Sequence, residues 1–493
     1  MTPDDGQVSR RGFLKPDPIP QRRQHRARHR IASIATVVLL ALGLLTVGTG
    51  PALAQPVSCG AVLTTDTTLT TDLLDCPGDG LVIGAPGVTV DLGGHTISGQ
   101  IIPGSPGQVG INNSAGHDDV TVKNGIVRAF DRGGIHLVRA DRNQIQDLTL
   151  DLFGEFGILL EGGSSNRFTN DSLEQPGDIG IGIFGTAMGP SRNNVIAGNR
   201  VDAADLANIA LRFRTITSTV IENNEVSGSE DEFGFGGGIL VSFGEADIIG
   251  TRVLRNNVHN NSPSGVAVGG SATGTLVEGN TLRDNPGPGV DNNGDQSVIR
   301  SNTIDSTGTG GFSEWGVQIG TAASSTRVEA NTINRTFFVG VDDSGYATVV
   351  TANVMDGQSP DLQTGILAGI IVREEARRGR IQGNQVLNQS GGGIEVSGDQ
   401  FVVADNTVTQ TGLFEDGIRV EPQAGGTLLE RNRSSRHGDD GIDVDSKATT
   451  MTANVANDNA DLGIEAVPGV KDGGGNQASG NGNPAQCVGV VCS

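Results

Sequence analysis

The chain has 493 residues, with 34 Lys and Arg against 56 Asp and Glu, 75 glycines, and only 35 % hydrophobic residues. A net charge of −22 argues against nucleic acid or an anionic membrane surface as a partner. The glycines keep no Gly-X-Y period, which excludes collagen, and the sparse apolar content suits thin repeated coils better than one thick core.

The first 54 residues hold 8 basic and 3 acidic side chains. Ile31 to Val47 is an apolar run behind Arg22, Arg23, Arg26, Arg28 and Arg30, and Ala52-Leu53-Ala54 supplies a small-residue cleavage site. That pattern predicts an export signal cleaved near Ala54. SRRGFLK, Ser9 to Lys15, is similar to a twin-arginine signal but lies far from the apolar run, so the twin-arginine and general secretory routes both fit. A retained anchor is the competing reading, because the run is almost long enough to span a bilayer. Without residues 1–54 the chain keeps 26 basic and 53 acidic side chains, a net charge of −27. Such a surface suits divalent cations, and it disfavours polyuronates unless cations bridge the two. A secreted, monomeric protein without membrane contact after cleavage is expected.

From there a repeat of about two dozen residues takes over. Its first phrase is Gly-Ile or Gly-Val, a variable residue, then often Val or Leu. It begins at Gly110, Gly134, Gly157, Gly182, Gly238, Gly265, Gly289, Gly316, Gly340, Gly369, Gly393, Gly417, Gly441 and Gly463. A second phrase (VIENNEV, LVEGNTL, VIRSNTI, RVEANTI, RIQGNQV, VVADNTV) places Asn224, Asn280, Asn302, Asn331, Asn384 and Asn406, with Asn199, Asn256 and Asn432 in kindred settings. The apolar stretches are short, rich in Val, Ile and Thr, and alternate with polar residues. Gly, Asn and Asp interrupt them, which is a strand-and-turn pattern. Propeller blades need longer repeats, and leucine-rich repeats need a different leucine pattern. What remains is an all-β fold: a single-stranded right-handed parallel β-helix of about 15 coils, about 4.8 Å apart, with a cap at each end. The boundaries are 1–54 for the export signal, 55–100 for the N-terminal cap and first coils, 101–467 for the repeats and 468–493 for the closing cap.

In such a column Asn is expected to serve a sharp corner, both by tolerating left-handed backbone and by stacking its amides. The repeated glycines are expected at another corner that needs positive φ or close backbone approach. The cysteines, Cys59, Cys76, Cys487 and Cys492, lie as one pair at each end and allow three pairings. Local bridges, Cys59–Cys76 and Cys487–Cys492, are expected because a solenoid keeps its ends apart, and they fit an oxidising compartment. Zinc is the alternative, but the pairs lack CxxC spacing and nearby histidines.

Residues 57–493 resemble the secreted bacterial right-handed parallel β-helix repeat proteins of the pectin-lyase-like superfamily. The opening Cys59 to Gly99, "CGAVLTTDTTLTTDLLDCPGDGLVIGAPGVTVDLGGHTISG", resembles its N-terminal cap and first coils. Asp461 to Cys492 resembles its closing cap. The resemblance implies the fold but no single activity, since the superfamily holds lyases, hydrolases, epimerases, esterases and adhesins.

Chemistry is sought on the outward residue x of Gly-Ile-x-Val. The row is read as Asn112, His136, Leu159, Phe184, Leu240, Ala267, Asp291, Gln318, Asp342, Ile371, Glu395, Arg419, Asp443 and Glu465, apolar early and charged late. EDGIRVE, from Glu415, and GDDGIDVDSK, from Gly438, would gather Asp416, Asp439, Asp440, Asp443 and Asp445 at one edge, beside Glu395 and Arg419. Carboxylates are hard ligands for Ca²⁺. The set resembles the calcium site of one pectate lyase family, which implies Asp416, Asp439, Asp440 and Asp443 as metal ligands. It also implies Arg419, Lys447 or Lys471 as the base that removes the proton beside a uronate carboxylate. The family's own lysine segment after the first Asp-Gly is replaced here by Ile418-Arg419. The bland alternative is that these acids solvate a turn and Arg419 neutralises its neighbours. Polygalacturonase chemistry fits less well: Gly438-Asp439-Asp440 matches one motif, but no NTD, GHG or RIK segment accompanies it.

Aromatic residues precede several Gly-led strands: Phe153, Phe156, Phe233, Phe235, Phe312, Trp315 and Phe414. They either plug corners or stack on sugar rings, with Trp315 and Glu395 as substrate-binding candidates. His437 adjoins the acids and reads as a surface turn residue. Longer inserts near 228–238, 307–316 and 357–369 are placed to wall a groove. Together these features point to a secreted protein that binds or processes an extracellular polysaccharide, in the manner of a Ca²⁺-dependent polyuronate lyase. The alternative is a non-catalytic, adhesin-like β-solenoid.

Overall fold

The computed structural model describes residues 57–101, 107–187, 189–231, 236–242, 244, 247–305, 315–336, 338–357 and 368–493. The export signal lies outside the described residues, as do Phe233, Phe235, Phe312 and most of the three longer inserts. Among the described residues no helix is long and apolar enough to cross a membrane.

Residues 57–493 form one parallel β-solenoid. The Gly-led phrases make an 18-stranded ladder from Ala61–Leu63 to Cys487–Val488, with about 16 turns between its terminal strands. Each coil then adds two short strands on either side of an asparagine corner, such as Val220–Glu222 and Glu225–Ser227. In the early coils Thr121–Arg128 and Gln144–Asp151 run through that corner as single long strands. A short fourth ladder spans Ser191–Arg192 to Ala272–Thr273.

Alternation along each strand puts β-branched residues inside. One inward row reads Ile158, Ile181, Ile209, Ile239, Val266, Val290, then Val317 to Ile464 with only Val and Ile. All are fully buried, each contributing about 1.5–3 kcal/mol of transfer free energy.

The asparagine corner holds the coils in register. An amide ladder runs unbroken from Asn199 to Asn476. At Asn331, Oδ1 accepts the Asn302 backbone N–H at 2.9 Å and the Asn302 Nδ2 at 3.0 Å. Its own Nδ2 donates to Asn353 Oδ1 and to the Ile299 carbonyl, both at 2.9 Å. Every polar atom of that buried side chain is therefore used. Asn353, Asn454 and Asn476 complete the series. The left-handed backbone expected of the ladder asparagines belongs to the preceding residue instead: Gly198, Asn223, Arg255, Gly279, Ser301, Ala330, Ala352, Gly383, Asp405, Arg431, Ala453 and Gly475 have positive φ. The turn is made one residue early so that the amide points along the column axis.

The glycines of the first phrase have ordinary φ, so close approach is their reason. A Cβ on Gly316 would lie 2.5 Å from the Gly340 carbonyl, and one on Gly265 would lie 2.8 Å from that of Gly289. Both expected disulfides are present, Cys59–Cys76 and Cys487–Cys492, with Cα atoms 5.4 and 6.2 Å apart.

The ladder begins on an acid. Asp171 donates its N–H to Asn199 Oδ1 at 2.9 Å, and its Oδ1 accepts the Leu148 N–H at 3.0 Å. Burial, reinforced by Asp147, pushes its carboxyl up to about 8 against the Leu148 bond. Unfolded, the group loses its proton near 3.8. Between those values the folded chain binds more protons, so rising pH weakens folding there. Asp171→Asn should therefore gain stability over the native chain as pH rises through this window. Melting temperatures of both across the range check this. A second expectation concerns the ladder interior. Asn331→Ala orphans the Asn302 N–H and removes the Nδ2 bonds to Asn353 and the Ile299 carbonyl, and should cost about 3–5 kcal/mol. Denaturant unfolding measures it.

Candidate functional site

Strand register corrects the outward row. It reads Asn112, His136, Leu159, Gly182, Ala210, Leu240, Ala267, Asp291, Gln318, Asp342, Ile371, Glu395, Arg419, Asp443 and Glu465. Gly182, not Phe184, occupies the fourth place, because Gly180 is the glycine of that coil's phrase. Ala210 was invisible in the sequence because Asn208 replaces the glycine in the strand Ala207–Arg212. Phe184 stands two positions on, in the row Glu161–Phe184–Arg212.

At the late end, acids gather on and beside the outward row. Glu395, Arg419, Asp443 and Glu465 share one. Asp416 sits below Asp440, whose backbone N–H it accepts at 3.0 Å, and Asp440 in turn accepts the Leu462 N–H at 2.7 Å. One oxygen from each of Asp439, Asp440 and Asp461 lies within 4.8 Å of the others. Two oxygens each about 2.4 Å from one cation can be at most about 4.8 Å apart, and the triad meets that limit pair by pair. Asp461 was not anticipated. It belongs to the coil after the paired Asp-Gly motifs, and its position above Asp439 needed the register. Asp416 and Asp443 stand beside the triad, outside its three oxygens.

Arg419 is the cation at the centre of this edge. Its Nε is 3.1 Å from Glu421, and it reaches Asp443 at 3.9 Å and Asp445 at 3.4 Å. Those acids outweigh its partial burial and hold its proton more firmly than usual. The acids shift the other way. Burial, then Glu415 and Glu421, pushes Glu395 up to about 7. Burial, then Asp416 and Asp445, raises Asp443 to about 7, and burial raises Asp416 to about 6. Asp440 is raised by burial, by a hydrogen bond to Glu465 and by the charges of Asp416 and Asp439.

The remaining candidates scatter. Lys447 is exposed in the turn after Asp445, and exposed Lys471 lies on an asparagine-flanked ladder beside Thr450, a different face of the column. His437 is not a surface residue. It is 3 % exposed and bonded to Thr411 at 3.0 Å and to Ser434 at 2.9 Å, and burial pushes it down to about 3, so it is neutral. Trp315 is half-buried against Val339, Ala368 and Ile371. Phe153 and Phe156 are buried, as corner plugs should be. Of the described aromatic candidates Phe414 is the exposed one, at 84 %, one residue before Glu415 and at φ 71°.

A parallel column with one sheet face ending in a carboxylate edge defines a β-solenoid with an acidic late end. The family model described as right handed beta helix region matches residues 79–249, 213–368 and 361–491, and the chain belongs to that family. No curated protein matches it. Among solved structures, it is similar to a mutant periplasmic alginate epimerase at 14 % identity, over 71 % of this chain and 77 % of that one, with a TM-score of 0.43. It is also similar to DFA-IIIase from Arthrobacter chlorophenolicus A6 at 15 %, over 64 % and 70 %, TM-score 0.36. The Dettilon tailspike protein follows at 14 %, over 76 % and 62 %, TM-score 0.31. Likeness at this level carries nothing about ligand or reaction.

The raised acids have a measurable consequence. A folded pKa of about 7 for Asp443, against 3.8 unfolded, means that folding weakens as pH rises between the two. Asp443→Asn should therefore melt higher relative to the native chain at pH 8 than at pH 4. A pH-independent difference between the two contradicts it.

Proposed function

We propose that the outer face of the Gly-led sheet binds an extended extracellular polysaccharide, with its late end bridging anionic sugar units through Ca²⁺. The observation that carries this reading is a pairing. The fully presented ring of Phe414 stands one residue from an edge where Asp439, Asp440 and Asp461 converge. An exposed aromatic offers a stacking surface for sugar C–H groups, and convergent carboxylates offer hard oxygen ligands. The two disulfides suit an oxidising compartment, consistent with export.

Bound there, Ca²⁺ would neutralise part of the acid edge and polarise a sugar carboxylate. Asp439, Asp440 and Asp461 hold it, and Phe414 orients the ring. Glu395 and Trp315 extend the sugar-binding face toward earlier coils. Arg419 pairs with a second uronate carboxylate. In a lyase version Arg419 or Lys447 accepts the proton beside the carboxylate, the C–H electron pair forms the C=C of an unsaturated end, and the glycosidic oxygen leaves with the C–O pair and takes a proton from water. With its acid neighbours bare, Arg419 keeps its own proton, so proton abstraction needs those charges neutralised first. A purely structural rod is favoured by one observation, the three acids already paired with Arg419.

The test is retention on polygalacturonate and alginate with Ca²⁺ or with EDTA, alongside ultraviolet absorbance of unsaturated ends. Ca²⁺-dependent binding is expected, weakened at least about tenfold by Asp440→Asn, Asp461→Asn or Phe414→Ala. Equal binding with EDTA, or none at all, overturns the reading. Absence of unsaturated ends removes only the lyase version.

A further inference from the structure

A second place on the same sheet face pairs exposed aromatic surface with charge. It lies near the early end, about eight rungs or roughly 38 Å before Arg419. A cleft of about 280 Å³ opens there. Its apolar floor is Leu159 of the outward row with Ile179 and Leu206. Phe184 and Arg212, adjacent in the next outward row, form one wall, and Phe213 stands against them. The rings of Phe184 and Phe213 meet edge to face at 5.1 Å and 86°. The Arg212 guanidinium lies 4.9 Å from the Phe213 centroid and 6.0 Å from that of Phe184. On the opposite side Arg132 sits 5.5 Å over Phe156 and 3.3 Å from Glu155.

Phe213 is the anomaly. It is 43 % exposed and has φ 61°, followed by Arg214 at φ 44°. A bulky aromatic in the left-handed region is strained, and here the strain presents an apolar ring to solvent. A small residue would make the same turn at lower cost, at the loss of the ring's contacts with Phe184 and Arg212. Phe414, beside the acid edge, shares both features.

We propose that this cleft binds a neutral sugar ring of a glycan, stacked on the exposed ring of Phe213 with Phe184 at its side, without any metal ion. The charged residues lining it are of both signs: Arg132 and Arg212 against Glu155, Glu161 and Asp178. Sugar hydroxyls donate to the carboxylates and accept from the guanidinium groups. Three acids against two guanidinium groups repel a uronate, which sets the charge class of the ligand. His136 adds no cation, because burial lowers its pKa despite the 3.0 Å contact with Glu161. Burial, Asp205 and Glu155 raise Asp178, and burial lowers Arg212, so both charges here are partly desolvated and their hydrogen bonds strengthened.

This inference rests on reading the sheet face as a glycan surface, but not on the cation. Its test therefore runs in EDTA, by calorimetry of the full chain with cellohexaose, laminarihexaose, maltohexaose and mannohexaose, and with trigalacturonate as the acidic probe. At least one neutral hexaose should bind, and more tightly than trigalacturonate. Phe213→Gly removes the ring and relieves the backbone. It should melt within a few degrees of the native chain yet bind at least about tenfold more weakly, while Phe213→Trp retains binding. Ca²⁺-dependent retention on polygalacturonate should be unchanged in Phe213→Gly, which separates this cleft from the acid edge. No binding of any neutral hexaose overturns the proposal, as does equal affinity in Phe213→Gly or a preference for trigalacturonate.

Discussion

The amide ladder at the asparagine corner is the constraint on which the rest depends. Each ladder side chain bonds to the coil below and the coil above, so a coil cannot slide or drop a residue without breaking several buried hydrogen bonds at once. Inward Val and Ile favour burial but not a particular vertical partner, because one aliphatic row packs much like another. The amides make the register unique. They also explain the tolerance for Arg255, Ser301, Ala330 and Ala352 in left-handed backbone. The cost of each turn is offset by the bonds that its neighbouring asparagine makes.

Fixed register turns sequence spacing into proximity. On the late outer face it stacks acid upon acid, and because these side chains are partly buried the repulsion is not dispersed by solvent. Their pKa values rise, and Arg419 becomes the centre of several attractions. On the exposed ladders the same stacking gives pairs such as Arg300–Glu278 at 3.0 Å and Arg142–Asp119 at 2.8 Å. Those pairs lie in water and contribute little. The difference is one of burial, not of composition.

Rigidity also lets the chain hold aromatic rings where folding alone would not place them. Phe213 and Phe414 both combine positive φ with exposure, and both stand beside groups of charge. A flexible loop would relax such strain. Phe213 directly follows the strand Ala207–Arg212, whereas Phe414 stands in the turn between Thr407–Thr409 and Ile418–Val420.

Much of the column was legible in the amino acids. The Gly-led and Asn phrases announced the coil, its parallel strands and the two local disulfides, because each coil repeats the same short-range chemistry. The clustering of acids from Glu415 to Asp445 was legible for the same reason. Other features required the folded chain. Phe184 was read into the outward row because its coil carries two glycines, and only pairing with Leu159 and Ala210 identifies Gly182. Asp461 joined Asp439 and Asp440 through a contact one coil further on. His437 looked like a surface turn and proved buried, since a turn in sequence can point inward once coils stack. Residue order determined the period and therefore the fold. Which side chains face solvent together was decided by vertical register and burial, which arise only when distant coils are in contact.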